Sequence, residues 1–191
     1  MEPFILASRS PRRKELLERL GLAFSVITAD VDETVPEGQT PEDTVMEISA
    51  RKAQAVFSGH PEAVVLAADT IVCHRGQILG KPEDIAQAVG MLRALSGRIH
   101  AVYTGGWILG PGVSEYFCEK TLVEFYPLSE EEIFAYVSSG EPFDKAGGYG
   151  IQGLGALLVK GIEGDFYNVM GLPIGRVSRI LRGLKENRET R

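Results

Sequence analysis

Phe4-Ile5-Leu6-Ala7-Ser8-Arg9-Ser10-Pro11-Arg12-Arg13-Lys14-Glu15-Leu16-Leu17 reads as a buried strand running straight into a helix. Phe4 to Ala7 is an unbroken apolar run. Beyond it Leu16, Leu17 and Leu20 share one helical face, Ser10 stands where an N-cap belongs, Pro11 takes the first helical position, and Gly21 lies just past the end. A strand feeding a helix in this way opens an α/β unit. The joint is also chemically loaded, because hydroxyls, guanidiniums and the unpaired N–H groups of a helix start converge there. Those N–H donors and the positive end of the helix dipole favour an anion, and arginine forks suit phosphate oxygens. The segment is therefore a small-anion site or a capped, solvated basic helix.

Beyond this joint, strand and helix signals keep alternating. A second strand is expected at 24–28, followed by a polar acidic loop at 29–36. Thr40-Pro41-Glu42-Asp43 starts a helix that runs to about Ser58. Ala63 to Ala68 reads as a buried strand ending on Asp69-Thr70, and a hairpin follows from Ile71 to Leu79, turning at Arg75-Gly76. Pro82 is expected to open a helix ending near Gly97. Two long strands at 98–109 and 115–126 are joined by Gly110-Pro111-Gly112, and Ser129-Glu130-Glu131-Glu132 forms a capping box for a helix to about Ser139. A glycine-dense stretch leads to a strand at Ala156–Lys160, and a final helix from Pro173 passes into a charged tail from about 185. Coexisting βα alternation and hairpins give an α/β fold with a mixed sheet, in a single domain spanning 1–191.

The 191 residues carry a net charge of −6, which argues against a nucleic-acid partner, since that binding runs on broad positive surface. A basic cluster in an acidic chain points to a small anion instead. Cys73 and Cys118 have no C-x-x-C spacing and no histidine at metal-ligand spacing, so they read as reduced thiols. No stretch has the length of a membrane span, and Met1-Glu2-Pro3 does not resemble a signal peptide. The expected compartment is the cytoplasm, with no membrane partner.

Several further residues could carry chemistry. Asp69, placed at a strand end, is either an acting carboxylate or a turn-forming aspartate. Asp30, Asp32 and Glu33 crowd one loop, which suits Mg²⁺ or Mn²⁺ completed by substrate phosphates, or else is simply a solvated acidic loop. Lys52 and Lys81 are ligand-facing cations or ordinary surface lysines. Gly148, Gly150 and Gly153 make a formal G-x-G-x-x-G, but no strand precedes it and no helix follows, so a dinucleotide fingerprint is excluded. These glycines are expected to let backbone approach a ligand, with the Gln152 amide able to read a base edge. No P-loop and no G-x-S-x-G nucleophile motif occurs.

Taken together and in order, Leu6-Ala7-Ser8-Arg9-Ser10-Pro11-Arg12-Arg13, Asp32-Glu33, Ala50-Arg51-Lys52-Ala53, Ala68-Asp69-Thr70, Gly80-Lys81-Pro82 and Ala146-Gly147-Gly148-Tyr149-Gly150-Ile151-Gln152-Gly153 resemble the Maf family of nucleoside triphosphate pyrophosphatases. The resemblance implies an elongated twisted mixed sheet flanked by helices, with two lobes around a cleft, like that of the inosine-triphosphate pyrophosphatases. It implies that Asp69 is the proton acceptor and that Ser8, Arg13, Lys52 and Lys81 serve the phosphates. Glu33, with Asp69, would hold a divalent metal, Mg²⁺ or Mn²⁺. Arg12, Thr70 and Gln152 match three positions that set base preference, in the combination of the dTTP/UTP branch. The alternatives are a family member acting on a modified guanine nucleotide such as 7-methyl-GTP, or a non-catalytic nucleotide-binding regulator of septum formation. The resemblance is compatible with a homodimer, although nothing in the sequence fixes an interface.

Overall fold

In the computed structural model, which describes residues 3–36 and 38–189, the opening strand β1 (Phe4–Leu6) lies between two parallel neighbours. These are β2 (Ser25–Val26) and β3 (Val64–His74), in the registers Ile5↔Ser25 and Ile5↔Val65. Helix α1 (Pro11–Glu18) follows at once, with Ser10 as N-cap and Leu16 and Leu17 buried. The remaining elements are α2 (Pro41–Gly59), β4 (Gln77–Leu79), α3 (Ile85–Leu95), β5 (Ile99–Gly110), β6 (Val113–Phe125), α4 (Glu130–Ser138), β7 (Val159–Glu163), α5 (Phe166–Met170) and α6 (Ile174–Glu189). The sheet order is β2-β1-β3-β5-β6-β7, with β4 on β3; β3·β4 and β6·β7 are antiparallel, so the sheet is mixed. No helix among the described residues is long and apolar enough to cross a membrane.

The chain packs as two units, one of residues 1–69, 104–119 and 171–191 and one of residues 70–103 and 120–170, with β3, β5 and β6 each passing from one to the other. In the first, α2 turns Val45, Ile48, Ala53 and Val56 inward at helical spacing. Ala53 and Val56 pack with Ile5, Ala7, Val65 and Ala67, under Trp107 and Leu109. Close approach is enforced at Gly106, where a Cβ would lie 2.3 Å from the fully buried Phe117 ring and 3.0 Å from the Ala67 carbonyl.

In the second unit α3 buries Ala88, Val89, Leu92 and Leu95, and α4 starts on the expected capping box, Ser129 with Glu132. Its core includes an aromatic trio, His100, Phe125 and Tyr149, whose rings meet edge to face with centroids 4.7 to 5.2 Å apart. His100 Nε2 and Tyr149 Oη share a 2.6 Å hydrogen bond.

Four sequence expectations shift. The strand expected to end at Asp69-Thr70 continues to His74, because Ile71, Val72 and Cys73 remain buried and pair with β4. Asp69 is therefore an interior strand residue. The hairpin turn does fall at Arg75-Gly76, both at positive φ (52° and 80°). Helix α3 begins at Ile85 rather than Pro82, since Asp84 is the residue whose carboxylate accepts from Gln87 N, at 2.8 Å. The strand expected at 156–160 is displaced to β7, and Gly153–Leu157 is a 3₁₀ turn. The last helix extends into the charged segment, to Glu189.

Burial, with a smaller contribution from neighbouring His74, pushes the His100 imidazole down from 6.5 to about 4. As pH falls the unfolded chain takes up this proton first, so the contribution is complete above about pH 6.5 and drains away toward pH 4. Urea unfolding between pH 7.5 and 4.5 should show a loss on the order of 3 kcal/mol from this group, by the free energy per unit of pKa. His100→Gln should flatten that part of the profile; an unchanged profile would mean that His100 is not its source.

Candidate active site

The joint between β1 and α1 is built from the inside. Ser10 Oγ accepts from Arg13 N at 3.4 Å, which fixes the first turn of α1. Ser8 is buried, and its Oγ accepts from Ser10 N and from Arg13 Nη1, both at 3.2 Å. Arg13 is buried as well, and its Nε donates to the Gly171 carbonyl at 2.7 Å. Burial lowers the Arg13 pKa and the nearby Arg12 adds to this, while Asp69 and Glu33 oppose it. The guanidinium is thus a preoriented cation in the field of two carboxylates.

Those carboxylates meet on one ammonium. Lys52 Nζ lies 2.7 Å from Asp69 Oδ1 and 2.7 Å from Glu33 Oε1. The Lys52 and Asp69 side chains are 17% and 14% exposed, whereas Glu33 is 60% exposed on its loop. Three elements supply this trio: Lys52 comes from α2, Asp69 from the interior of β3 and Glu33 from the loop before α2. The acidic loop therefore separates into distinct jobs. Asp30 pairs with Arg9 at 3.5 Å in solvent, and Asp32 Oδ1 accepts from Thr34 N at 2.9 Å to close its own turn. Of its three carboxylates, Glu33 is the one joined to Asp69 through Lys52.

Among the described residues no three His, Cys, Asp or Glu side chains form a metal cage. Asp69 and Glu33 supply two hard oxygens, the donor set a Mg²⁺ or Mn²⁺ ion accepts when substrate phosphates complete its shell. The residues fit such an ion on those terms.

The second unit holds Thr70, half-exposed, Lys81, exposed, and Gln152, half-exposed. Gly80 O accepts from Gly147 N at 2.9 Å, so the Lys81 turn and the glycine-rich segment are tied together. Gln152 lies in a well-braced loop. Tyr136 Oη accepts from Gly150 N at 3.2 Å, and the Glu141 carboxylate accepts from Leu154 N at 3.0 Å and Gly155 N at 3.4 Å. Of Gly148, Gly150 and Gly153, the first and last have positive φ, 70° and 62°, and a Cβ on Gly153 would lie 2.7 Å from the Glu141 carboxylate. Beside them, a Cβ on Gly155 would sit 2.0 Å from Gly150 O. The Gln152 side chain itself makes no hydrogen bond with a described residue.

Sequence reasoning did not find Gly171, whose carbonyl holds Arg13 across a separation of 158 residues. It also did not find Glu141 or Tyr136. A distant carbonyl leaves no local pattern, although Gly140-Glu141-Pro142 before a glycine run is the kind of turn signal that marks a braced loop.

The model of the Maf-like protein family matches residues 3–184. A dTTP/UTP pyrophosphatase from Bacillus cytotoxicus is 50% identical over 182 residues, 95% of this chain and 95% of its own. One from Geobacillus sp. strain WCH70 is 50% identical over 184 residues, 96% of this chain and 99% of its own. Among solved structures, a HAM1 protein from Coxiella burnetii superposes with a TM-score of 0.52 at 17% identity, covering 96% of this chain and 100% of that one. It shares the fold.

The shared ammonium carries a measurable consequence. Lys52→Met removes the ammonium that both carboxylates contact, one of them mostly buried, and should cost about 1–3 kcal/mol in urea unfolding at pH 7. Adding Asp69→Asn should recover part of that loss. Equal stability of Lys52→Met and wild type would show that the bridge does not hold the site together.

Proposed function

Since the chain belongs to the Maf family, we propose that it hydrolyses dTTP and UTP to the monophosphate and pyrophosphate. The observation that carries the reading is the convergence of Asp69 and Glu33 on Lys52, in the field of the buried Arg13. It is supported by relatives of this chain, 50% identical over nearly its whole length, that bear the name dTTP/UTP pyrophosphatase.

In this mechanism a water oxygen attacks the α-phosphorus, the bond from that phosphorus to the bridging oxygen breaks, and pyrophosphate leaves. Asp69 accepts the proton of the attacking water. Lys52 holds that carboxylate in place and, with Arg13, Lys81, Ser8 and the N–H groups at the start of α1, balances charge growing on the phosphate chain. Glu33 and Asp69 would hold a divalent cation, which supplies charge neutralisation on the phosphates. Phosphoryl transfer asks little beyond such positioning and electrostatics. Arg12, Thr70 and Gln152 select the base. The uncommitted Gln152 amide pairs with the O4/N3 edge shared by uracil and thymine; cytosine presents an amine in place of that carbonyl, and purines are larger. The same reading gives a cytoplasmic enzyme acting on free nucleotides, not on nucleic acid or at a membrane, and admits a homodimer.

Pyrophosphate release from dTTP, UTP, CTP, GTP, ITP and 7-methyl-GTP, measured with Mg²⁺, Mn²⁺ or EDTA, tests this directly. Turnover should be confined to dTTP and UTP and abolished by EDTA. Turnover of 7-methyl-GTP instead would keep the enzyme and discard the base assignment, and no hydrolysis by folded protein would favour a nucleotide-binding regulator. Asp69→Asn should lower turnover by roughly 10² or more, the scale of a lost general base; near-wild-type turnover in that variant would remove Asp69 from the role.

A further inference from the structure

Arg51 is the neighbour of Lys52 on α2, yet it binds backbone rather than carboxylates of the site. Its Nη1 donates to the carbonyl of Asp32 at 2.9 Å and to that of Thr34 at 2.7 Å. The first carbonyl belongs to the peptide that enters Glu33 and the second to the peptide after Thr34, so the chain is tethered before and after Glu33. Its Nη2 pairs with Glu47, one turn back on the same helix. The other Glu47 oxygen accepts from Gln39 Nε2 at 2.6 Å. The Gln39 hydrogen bond, and after it the Arg51 guanidinium, hold the Glu47 carboxyl below its ordinary range, so Glu47 stays an anion that aims the arginine.

A loop segment tethered on both sides of its middle residue leaves that residue's Cα–Cβ bond fewer directions. Glu33 needs that, because its side chain is 60% exposed and its loop contains no regular hydrogen-bonded structure from 29 to 36. A planar fork suits this arrangement, since Nη1 meets the two carbonyls while Nη2, in a fixed direction from it, meets Glu47; an ammonium would have to reach all three from one nitrogen on a flexible stem. Arg51 is not among the residues that α2 buries, and apart from Glu47 its bonds go to the loop.

We propose that Arg51 is a positioning residue for pyrophosphate release: it brackets Glu33 through the carbonyls of Asp32 and Thr34 and so keeps the Glu33 carboxylate on Lys52, with Glu47 and Gln39 aiming the guanidinium. The inference rests on the reading in which Glu33 belongs to the catalytic machinery. Two consecutive residues of α2 thus hold one loop residue, Arg51 by its backbone surroundings and Lys52 by its carboxylate.

The test is a double-mutant cycle on the full chain: wild type, Arg51→Met, Glu33→Gln and the double variant. Each is assayed for kcat/KM with UTP, for thermal unfolding, and for hydrogen exchange of segment 30–36. Arg51→Met should lower kcat/KM roughly 10- to 100-fold, the scale of misplacing a catalytic group by about an ångström. The double variant should be no slower than Glu33→Gln within about twofold, because coupled residues are not additive. Exchange in 30–36 should quicken in Arg51→Met and not in Glu33→Gln. Fully additive losses, or wild-type rate in Arg51→Met beside a slow Glu33→Gln, would overturn the proposal alone. Wild-type rate in Glu33→Gln would overturn the role of Glu33 in the proposed mechanism, and the positioning role with it. Should Arg51→Met fail to fold, Arg51→Lys keeps the charge opposite Glu47 but cannot hold both carbonyls. It should be slower than wild type, and a wild-type rate would overturn the bracketing.

Discussion

One ammonium shared by two carboxylates is the constraint on which the first unit's chemistry depends. Asp69 and Glu33 each approach Lys52 Nζ to 2.7 Å. Without the cation the two acids would repel each other, and Asp69, mostly buried on β3, would be a poorly solvated charge. With it, a strand, a helix and an irregular loop are pinned at one point. The loop contributes least of its own order, which is why its placement needs Arg51 as well as Lys52.

Arg13 follows a related logic. Burying a guanidinium is costly, and the cost is offset by the Gly171 carbonyl, the Ser8 hydroxyl and the field of Asp69 and Glu33. Its fork is held with little rotamer freedom, so a phosphate arriving at the N-terminus of α1 would meet a group that needs little reorganisation. In the second unit, Gln152 is supported differently. Tyr136 and Glu141 brace the backbone of its loop, while its own amide stays uncommitted.

Features with a local cause were legible in the sequence. The Ser10 cap with Pro11, the Ser129 capping box and the Arg75-Gly76 turn are each decided by residues a few positions apart. The mixed sheet flanked by helices followed from the alternation of such signals. What failed was set by distant partners. Asp69-Thr70 looked like a strand end because two polar residues interrupt an apolar run, but pairing with β4 carries the strand to His74. The bracing of the glycine-rich segment, by Glu141 beneath Gly153 and by the chain folding against itself at Gly150, was likewise invisible in the sequence. That Lys52, Asp69 and Glu33 belong to one site came from the resemblance to a family; that all three share one contact needed the structure.

In the proposed mechanism the carboxylate held by Lys52 activates water for attack at the α-phosphorus. Hydrolysis of UTP in ¹⁸O-labelled water, with mass analysis of both products, tests it most directly. The label should appear in UMP and not in pyrophosphate. Label in pyrophosphate, or release of orthophosphate, would place the attack on a different phosphorus and contradict it.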